Sequence, residues 1–591
     1  MASLPQIEIP LYGIGVSPGI AIGPARMFHV TALDVPASSI EDPAAELARF
    51  DEAVKKARVT LTALKEQTLD ELGEKHAAIF QAHIDLLDDV ALRPEVERRL
   101  NEEKLSVEYL VNDLIGRYTK MLGQVQDPLF RERSNDLLDV GRRILGYLLE
   151  EELESLEHLE EPCVIVAHDL SPSEAVNMDL TNTMGLATDA GGPTSHMAII
   201  ARAFQIPTVV GLRYLGSRIG KGDTVIVDGT KGSVIIHPRE ETLERYRSEK
   251  QRQEELRLAL AEAATEGPSV TLDGKEIPTY ANIELLAETH LSKRAKCQGV
   301  GLYRTEFLFI NRASLPTEEE QYEHYRRIVE AMAPLPVTVR TLDLGGDKAL
   351  PSVTAERETN PQLGWRSIRL CLDRPDIFKS QLRALLRASV HGEMQIILPM
   401  ITGIDQFLEA KQVVEEVKED LRQRGVPFDE ELKLGSMVET PAAALIADRL
   451  AQVCDFLSIG TNDLIQYCLA VDRANQRTAH LYQPTHLSVL RLLEKTLSAA
   501  KAADIPCGIC GEMAGDPVLT ELLLGIGFAS LSMSSISLPR VRAEIANIHL
   551  ATAKRFARKV LKMSSASEIR ALVEERYESR GTLKHLQTAK A

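Results

Sequence analysis

The chain has little of what would place it in a membrane, outside a cell or on a nucleic acid. No apolar run in its 591 residues approaches the ~20 that a helix needs to cross a bilayer. Its start, MASLPQIEIP, lacks the basic residues and the apolar stretch of a secretory signal. Cysteines number only seven, an odd count scattered along a long chain, which excludes the disulfide framework of a small secreted protein. Positive charge is in deficit: 68 Lys and Arg against 86 Asp and Glu leave a formal net charge of −18. That balance excludes a nucleic-acid binder working through a basic patch and favours a basic protein as partner. What is present, 44% apolar and 26% charged residues, is ordinary for a folded, helix-rich protein. The expected location is the cytoplasm, with no membrane insertion.

At roughly 150 residues per domain, the length implies about three to five units. The opening stretch IEIPLYGIGVSPGIAIGPARMF reads as short strands punctuated by Gly and Pro. Residues 43–156 then repeat apolar positions at three- and four-residue steps, as in AAELARFDEAVKKARVTLTALKEQ, which predicts a bundle of amphipathic helices. Strand signals return from Pro162 to Pro238 in CVIVAH, MGLATDAGG, PTVVG, DTVIVDG and SVIIHP, with a helix AIIARAF between the second and third. Residues 1–30 and 157–238 therefore read as one α/β domain, into which the helical segment 31–156 is inserted at a surface loop. Residues 239–265 are charged and free of Gly and Pro, predicting a linker helix.

Beyond Gly267 strands and helices alternate, the signature of a parallel sheet. Eight strand candidates follow: 277–283, 299–307, 337–345, 394–401, 433–440, 456–464, 506–513 and 528–534. Eight strands in about 250 residues predict a (β/α)8 barrel, here set at 266–575, with 576–591 as a loose polar tail. The fold class is thus α/β multidomain, with a TIM-type barrel as the last domain.

Unusual polar residues fall at the ends of these strands. Arg304 and Glu306 end the second, Arg340 and Asp343 the third, Glu439 the fifth, Asn462 and Asp463 the sixth, Cys510 and Glu512 the seventh. Barrel sites are built at the C-terminal ends of the strands, so these groups should converge on one mouth, with Arg366 and Arg473 in adjoining loops. Any single Arg there could serve a structural ion pair; several beside a few carboxylates suit a small, multiply charged anion, since the planar guanidinium pairs with phosphate and carboxylate oxygens two at a time. Glu439 and Asp463 are hard oxygen donors of the kind Mg²⁺ takes, although pairing with an Arg or with Lys348 would use them equally well. Cys507-Gly-Ile-Cys510 lies on a barrel strand with no redox fold around it; Cys510 suits a proton donor and Cys507 packing.

A second constellation is TDAGGPTSHMAIIARAF at 188–204. A strand, a tight turn at Gly191-Gly192 and a helix carrying His196 in its first turn would bring backbone N–H groups against an anion. A neutral imidazole with one free nitrogen accepts a phosphoryl group at neutral pH, and Thr194 lies close enough in sequence to position the ring. A histidine near a helix start can equally be a cap or a packing residue.

Taken together, GGPTSHMAIIAR, GLYRTEFLF, RTLDLGGDK, NPQLGWRSIR, GSMVETPAA, FLSIGTNDLIQYCLAVDR and CGICGEMAGD resemble, in order, the motifs of enzyme I of the bacterial sugar phosphotransferase system, from about residue 11 to about 575. The resemblance implies a phosphoenolpyruvate–protein phosphotransferase with a swivelling phosphohistidine domain. His196 would be the phosphorylated residue, attacking through Nε2, with Gly191, Gly192 and Thr194 in support. Arg304, Arg340, Arg473 and Asn462 would hold the substrate, Arg366 and Lys348 would complete the positive cage, Glu439 and Asp463 would bind Mg²⁺, and Cys510 would protonate the enolate to give pyruvate. The inserted helices would dock the histidine-containing phosphocarrier protein HPr, with His83, Asp85, Asp88 and Asp89 as contact candidates, and the barrel would pair into a homodimer. Pro193 stands where the familiar signature has Arg. The alternative is a carrier-binding regulatory relative, including one from the nitrogen branch.

Overall fold

The computed structural model describes residues 8–580 apart from 29–34, 73, 89–91, 124–127, 150–155, 157–158, 171–173, 175–177, 180, 192–196, 199–200, 202–203, 213, 217, 221, 264–266, 310–314, 345–357, 359, 474 and 476–477. The chain divides into two compact units, 1–254 and 255–591.

In the first unit, strands β1 (Ile9–Tyr12), β2 (Ile14–Ser17), β3 (Ile20–Phe28), β4 (Cys163–Ala167), β5 (Thr183–Thr188), β6 (Thr208–Val210), β7 (Thr224–Asp228) and β8 (Ser233–Ile236) form one sheet of order β1-β8-β7-β3-β4-β5-β6-β2. The strands β3 to β6 run parallel to their neighbours, whereas the other pairs are antiparallel. The strands on either side of the helical segment are partners, with Ala25 opposite Val164 and Phe28 opposite Ala167. A long excursion that leaves and re-enters one sheet at adjacent strands leaves its ladder intact, which is why the two halves of this sheet could be matched across the helices. One face of the sheet packs Ile165, Leu186, Met197 and Ala198, the other Val164, Ala187, Val209 and Leu215.

The intervening helices are α1 (Pro43–Leu72), α2 (Glu74–Leu87), α3 (Leu92–Glu103), α4 (Val107–Gly123) and α5 (Pro128–Leu149). Helix α1 starts where Asp42 Oδ1 accepts the N–H groups of Ala44 and Ala45 at 3.0 and 3.2 Å, with Pro43 at the first helical position, where no N–H is needed. It buries Phe50, Ala53, Ala57, Leu61 and Leu64, spaced by three and four residues, into the bundle core. His83 is no surface contact: it is fully buried, with Nε2 3.2 Å from Asp136 Oδ1 and Nδ1 3.4 Å from Asp139 Oδ2. Asp88 is held by Arg58, and Asp85 accepts from Gln81 at 2.8 Å; Asp89 lies outside the described residues. Helix α6 (Glu240–Ala263) falls on the segment expected as a linker.

The second unit opens with a short hairpin, β9 (Ser269–Val270) and β10 (Glu276–Ile277), and then builds the barrel from β11 (Thr279–Ile283), β12 (Val300–Arg304), β13 (Val337–Arg340), β14 (Met394–Leu398), β15 (Lys433–Val438), β16 (Leu457–Ile459), β17 (Cys507–Ile509) and β18 (Leu531–Ser534). The order β17-β16-β15-β14-β13-β12-β11-β18 is parallel at every pair and brings the last strand beside the first, so the barrel is closed apart from the seam between β17 and β18. All eight expected strands are present. Helices such as Pro375–Ala388 and Ile404–Gln423 cover the outside and share one continuous core with the strands.

Of the tail expected at 576–591, residues 576–580 are helical, and 581–591 lie outside the described residues. A last helix, Ala566–Arg580, continues because Arg576 and Arg580 both pair with buried Glu521, and Arg580 also reaches Glu544 at 3.3 Å.

Candidate functional site

The barrel strands deliver their polar residues to one mouth. Arg304 and Arg340 are the last residues of β12 and β13; Glu439 follows β15 and Cys510 follows β17. Asn462 and Asp463, expected at the end of a strand, instead occupy the first turn of helix Thr461–Leu469, because β16 stops at Ile459 and Gly460 turns the chain. A Cβ on Gly460 would lie 2.8 Å from Glu439 Oε2, so glycine is what lets this turn pass beside the carboxylate. Likewise Glu306 and Glu512 fall in single 3₁₀ turns just past their strands.

Charge is arranged as a chain. Arg340 donates through Nη2 to Glu306 Oε1 at 2.7 Å, and its Nη1 lies 3.1 Å from Asp343. Arg366 Nη2 grips the same Asp343 at 2.8 and 3.0 Å, and lies 3.8 Å from Asp463 Oδ2. Arg366 Nη1 donates to Gln362 Oε1 at 2.6 Å and to the Tyr467 hydroxyl at 3.3 Å, and that hydroxyl in turn donates to the Gln362 carbonyl. All of these charged groups are buried. Arg304 pairs with Glu284 at the rim.

Glu439 and Asp463 fit a divalent cation. Both are buried, and burial, followed by the negative charge of Asp463 and Asp343, pushes the Glu439 carboxyl up to about 8. A cation is the natural remedy for carboxylates crowded in this way, and Mg²⁺ commonly takes one or two protein carboxylates while keeping water and substrate oxygens. Met400 donates its N–H to Glu439 Oε1 at 2.6 Å, which leaves Oε2 for a metal. To do so, Met400 sits at φ 55°, a left-handed backbone that costs on the order of 1–3 kcal/mol for a side-chain-bearing residue. No group of three or more His, Cys, Asp or Glu suited to a metal occurs among the described residues.

Cys510 is almost fully enclosed, and burial pushes its thiol up to about 11 although Ser458 hydrogen-bonds it. Its backbone is fixed from both sides: Cys510 donates its N–H to the Ile459 carbonyl of β16 at 3.0 Å, and Asn282 Nδ2, from across the seam, donates to the Cys510 carbonyl at 2.8 Å. Asn282 is itself oriented by the Ser532 hydroxyl at 2.6 Å. Cys507 and Cys510 are both free thiols, as the packing and proton-donor readings require. Asn462 and Glu512 bond reciprocally: the Asn462 amide donates to Oε1 at 3.0 Å and accepts the Glu512 N–H at 2.9 Å. Arg473 lies exposed on the loop after this helix, its N–H donated to Gln466 Oε1 at 3.2 Å. Lys348 lies outside the described residues.

Of the second constellation, Gly192, Pro193, Thr194 and His196 also lie outside them. The approach to the turn is described and is tightly tied. Gly191 has φ 98°, where glycine is needed. Asp189 accepts the N–H of Leu215 at 2.6 Å through Oδ1 and that of Gly216 at 3.1 Å through Oδ2, while the Thr188 hydroxyl donates to the Ala190 carbonyl at 2.7 Å. Beyond the turn, Met197 and Ala198 are helical and buried.

Glu284, Asn282, Gln362, Tyr467 and Ser532 escaped the sequence reading. Asn282, Ser532 and Tyr467 act across strands or loops far apart in the chain, and only their positions at strand ends could have flagged Glu284 and Asn282.

Comparison with known proteins agrees with this layout. Three family models match: PEP-utilising enzyme, N-terminal, over residues 12–133; PEP-utilising enzyme, mobile domain, over 159–232; and PEP-utilising enzyme, PEP-binding domain, over 259–550. Relatives named phosphoenolpyruvate-protein phosphotransferase include one from Bacillus sp. (strain S), 41% identical over 96% of this chain and 98% of its own length. One from Bacillus subtilis (strain 168) is 41% identical over 96% and 99%, and one from Haemophilus influenzae is 40% identical over 95% and 98%.

Proposed function

Since the chain belongs to the family of phosphoenolpyruvate-protein phosphotransferases, we propose that it takes a phosphoryl group from phosphoenolpyruvate onto His196 and passes it to a histidine of the phosphocarrier protein HPr. The observation that carries the reading is the buried chain Glu306–Arg340–Asp343–Arg366–Asp463, set beside Glu439 at the barrel mouth. Phosphoryl transfer asks mainly for positioning and charge neutralisation; the braced arginines would position the substrate, and a divalent cation on the carboxylates would add the positive charge.

In the proposed reaction Arg304, Arg340, Arg473 and Asn462 hold the substrate, with Arg366 and Lys348 completing the cage. Glu439 and Asp463 would hold Mg²⁺, which when bound neutralises charge on phosphoryl oxygens. His196 Nε2 forms a bond to phosphorus as the bond from phosphorus to the enol oxygen breaks. Cys510 gives its thiol proton to the enolate carbon, producing pyruvate, and recovers a proton from water. The phosphoryl group then leaves His196 for the carrier.

The proposed division of labour gives 1–30 and 157–238 to the phosphohistidine domain, 31–156 to carrier docking, 239–265 to the linker, and 266–575 to substrate binding and homodimer formation. A cytoplasmic setting matches the partners, and no helix among the described residues is long and apolar enough to cross a membrane.

Incubating the chain with phosphoenolpyruvate, Mg²⁺ and purified HPr should release pyruvate and leave acid-labile phosphate on His196. A His196→Ala variant should fall to background. Pyruvate release indifferent to that substitution would remove the phosphohistidine from the scheme, and binding of HPr without any turnover would favour the regulatory alternative.

A further inference from the structure

Glu284 occupies a guanidinium that the proposed reaction needs for its substrate. Arg304, the last residue of β12, donates through Nη1 to Glu284 Oε1. Glu284 follows directly on β11, so both groups stand at the strand-end rim of the mouth. The turn that carries it is pinned: the N–H groups of Glu284 and Leu285 both donate to Glu288 Oε2, at 2.6 and 2.9 Å. The backbone of Glu284 is therefore fixed where its carboxylate reaches Arg304.

The carboxylates on the buried arginines Arg340 and Arg366 are of a different kind. The side chains of Glu306 and Asp343, which brace Arg340 and Arg366, are 7% and 4% exposed. Pairs so desolvated are parts of the scaffold, and stripping one partner would leave a buried charge uncompensated. Glu284 and Arg304 are 40% and 33% exposed. In contact with water such a pair holds together by a factor of only about 1.5 to 5, which a multiply charged anion can outbid.

Resting on the reading of Arg304 as a substrate ligand, we infer that Glu284 is an internal occupant of the anion site that sets the affinity for phosphoenolpyruvate. It neutralises Arg304 while the mouth is empty and must give way when a phosphorylated carboxylate enters. Only the fraction of molecules with Arg304 released is competent to bind, and the apparent affinity falls by that fraction. After displacement the carboxylate remains tethered near the bound anion, and its charge acts in the same direction.

The test compares the full-length chain with a Glu284→Gln variant, which keeps the size and a hydrogen-bond acceptor but loses the charge. Calorimetric titration with phospholactate in Mg²⁺ measures binding of a phosphorylated carboxylate that has no enol leaving group. The variant should bind about 2- to 5-fold more tightly, and its KM for phosphoenolpyruvate should fall by a similar factor while kcat moves less. A gain in affinity cannot come from a damaged fold, so it separates this role from a merely structural one. Equal or weaker binding by the variant overturns the inference. The titration decides it whether or not pyruvate is released, so a failure of the catalytic reading would show as binding by both proteins with turnover by neither.

Discussion

Cys510 illustrates how much a single residue's role depends on its surroundings. A thiol with the ordinary value of about 8.5 would lose much of its proton by pH 9. Enclosure in the barrel pushes Cys510 up to about 11, so it stays protonated across the neutral range, as the proposed role of proton donor requires. Two results are expected from this. Pyruvate formation should show no decline between pH 7 and 9 that tracks ionisation of this thiol, and Cys510→Ala should slow pyruvate formation by about 10²- to 10⁴-fold. The C3-protonation step, followed by deuterium incorporation into pyruvate, is the readout; a variant that incorporates solvent hydrogen as fast as the parent would remove Cys510 from the reaction. The sequence pointed to Cys510 through its strand-end position, but its supports could not be read. Asn282 reaches it from β11, more than two hundred residues away along the chain, and is itself oriented by Ser532 of β18; such contacts leave no periodic trace.

Elements were more legible than their ends. All eight barrel strands were foreseen because strands buried on both faces, such as MQIIL and KLGSMV, read as apolar runs between helical patterns. The segment 456–464 reads as one strand, since a strand end carrying Asn and Asp and a helix start carrying them look alike in sequence. The switch to helix at Thr461 depends on a close approach of backbones that only the fold reveals. That approach yields a prediction. A Cβ on Gly511 would lie 1.8 Å from Thr461 Oγ1 and 2.8 Å from the Thr461 nitrogen, whereas one on Gly508 would meet only Ser530 Oγ at 3.4 Å. Gly511→Ala should therefore push helix Thr461–Leu469 away from the turn that bears Glu512, break the Asn462–Glu512 pair, and cost about 1–3 kcal/mol of stability. Gly508→Ala should be close to neutral. Thermal unfolding of the two variants beside the parent checks the contrast, and equal melting temperatures would show that the helix yields without cost.

At the scale of the whole molecule, the change in composition at residue 43 and its reversal near 162 exposed the helical excursion, and the sheet closes across it as β3 meets β4. The helix Ala566–Arg580 was less legible, because its charged sequence has no strong apolar face and resembles a solvated tail. It is anchored to the barrel core by Ile569 and Val573 and by a set of ion pairs. Arg576 and Arg580 converge on Glu521, whose side chain is 3% exposed, and Arg580 adds Glu544 at 1%. Replacing both arginines by Ala would leave these buried carboxylates without those cations, a change that costs about 3–5 kcal/mol when a buried pair loses one partner. Because the two units have separate hydrophobic cores, the loss should fall on the second alone. Scanning calorimetry of the Arg576→Ala, Arg580→Ala double variant should show the barrel transition lowered by roughly 4–7 °C, with the transition of the first unit unmoved. A shift of both by the same amount would mean that the units unfold as one, and no shift would mean that the final helix is dispensable to the barrel.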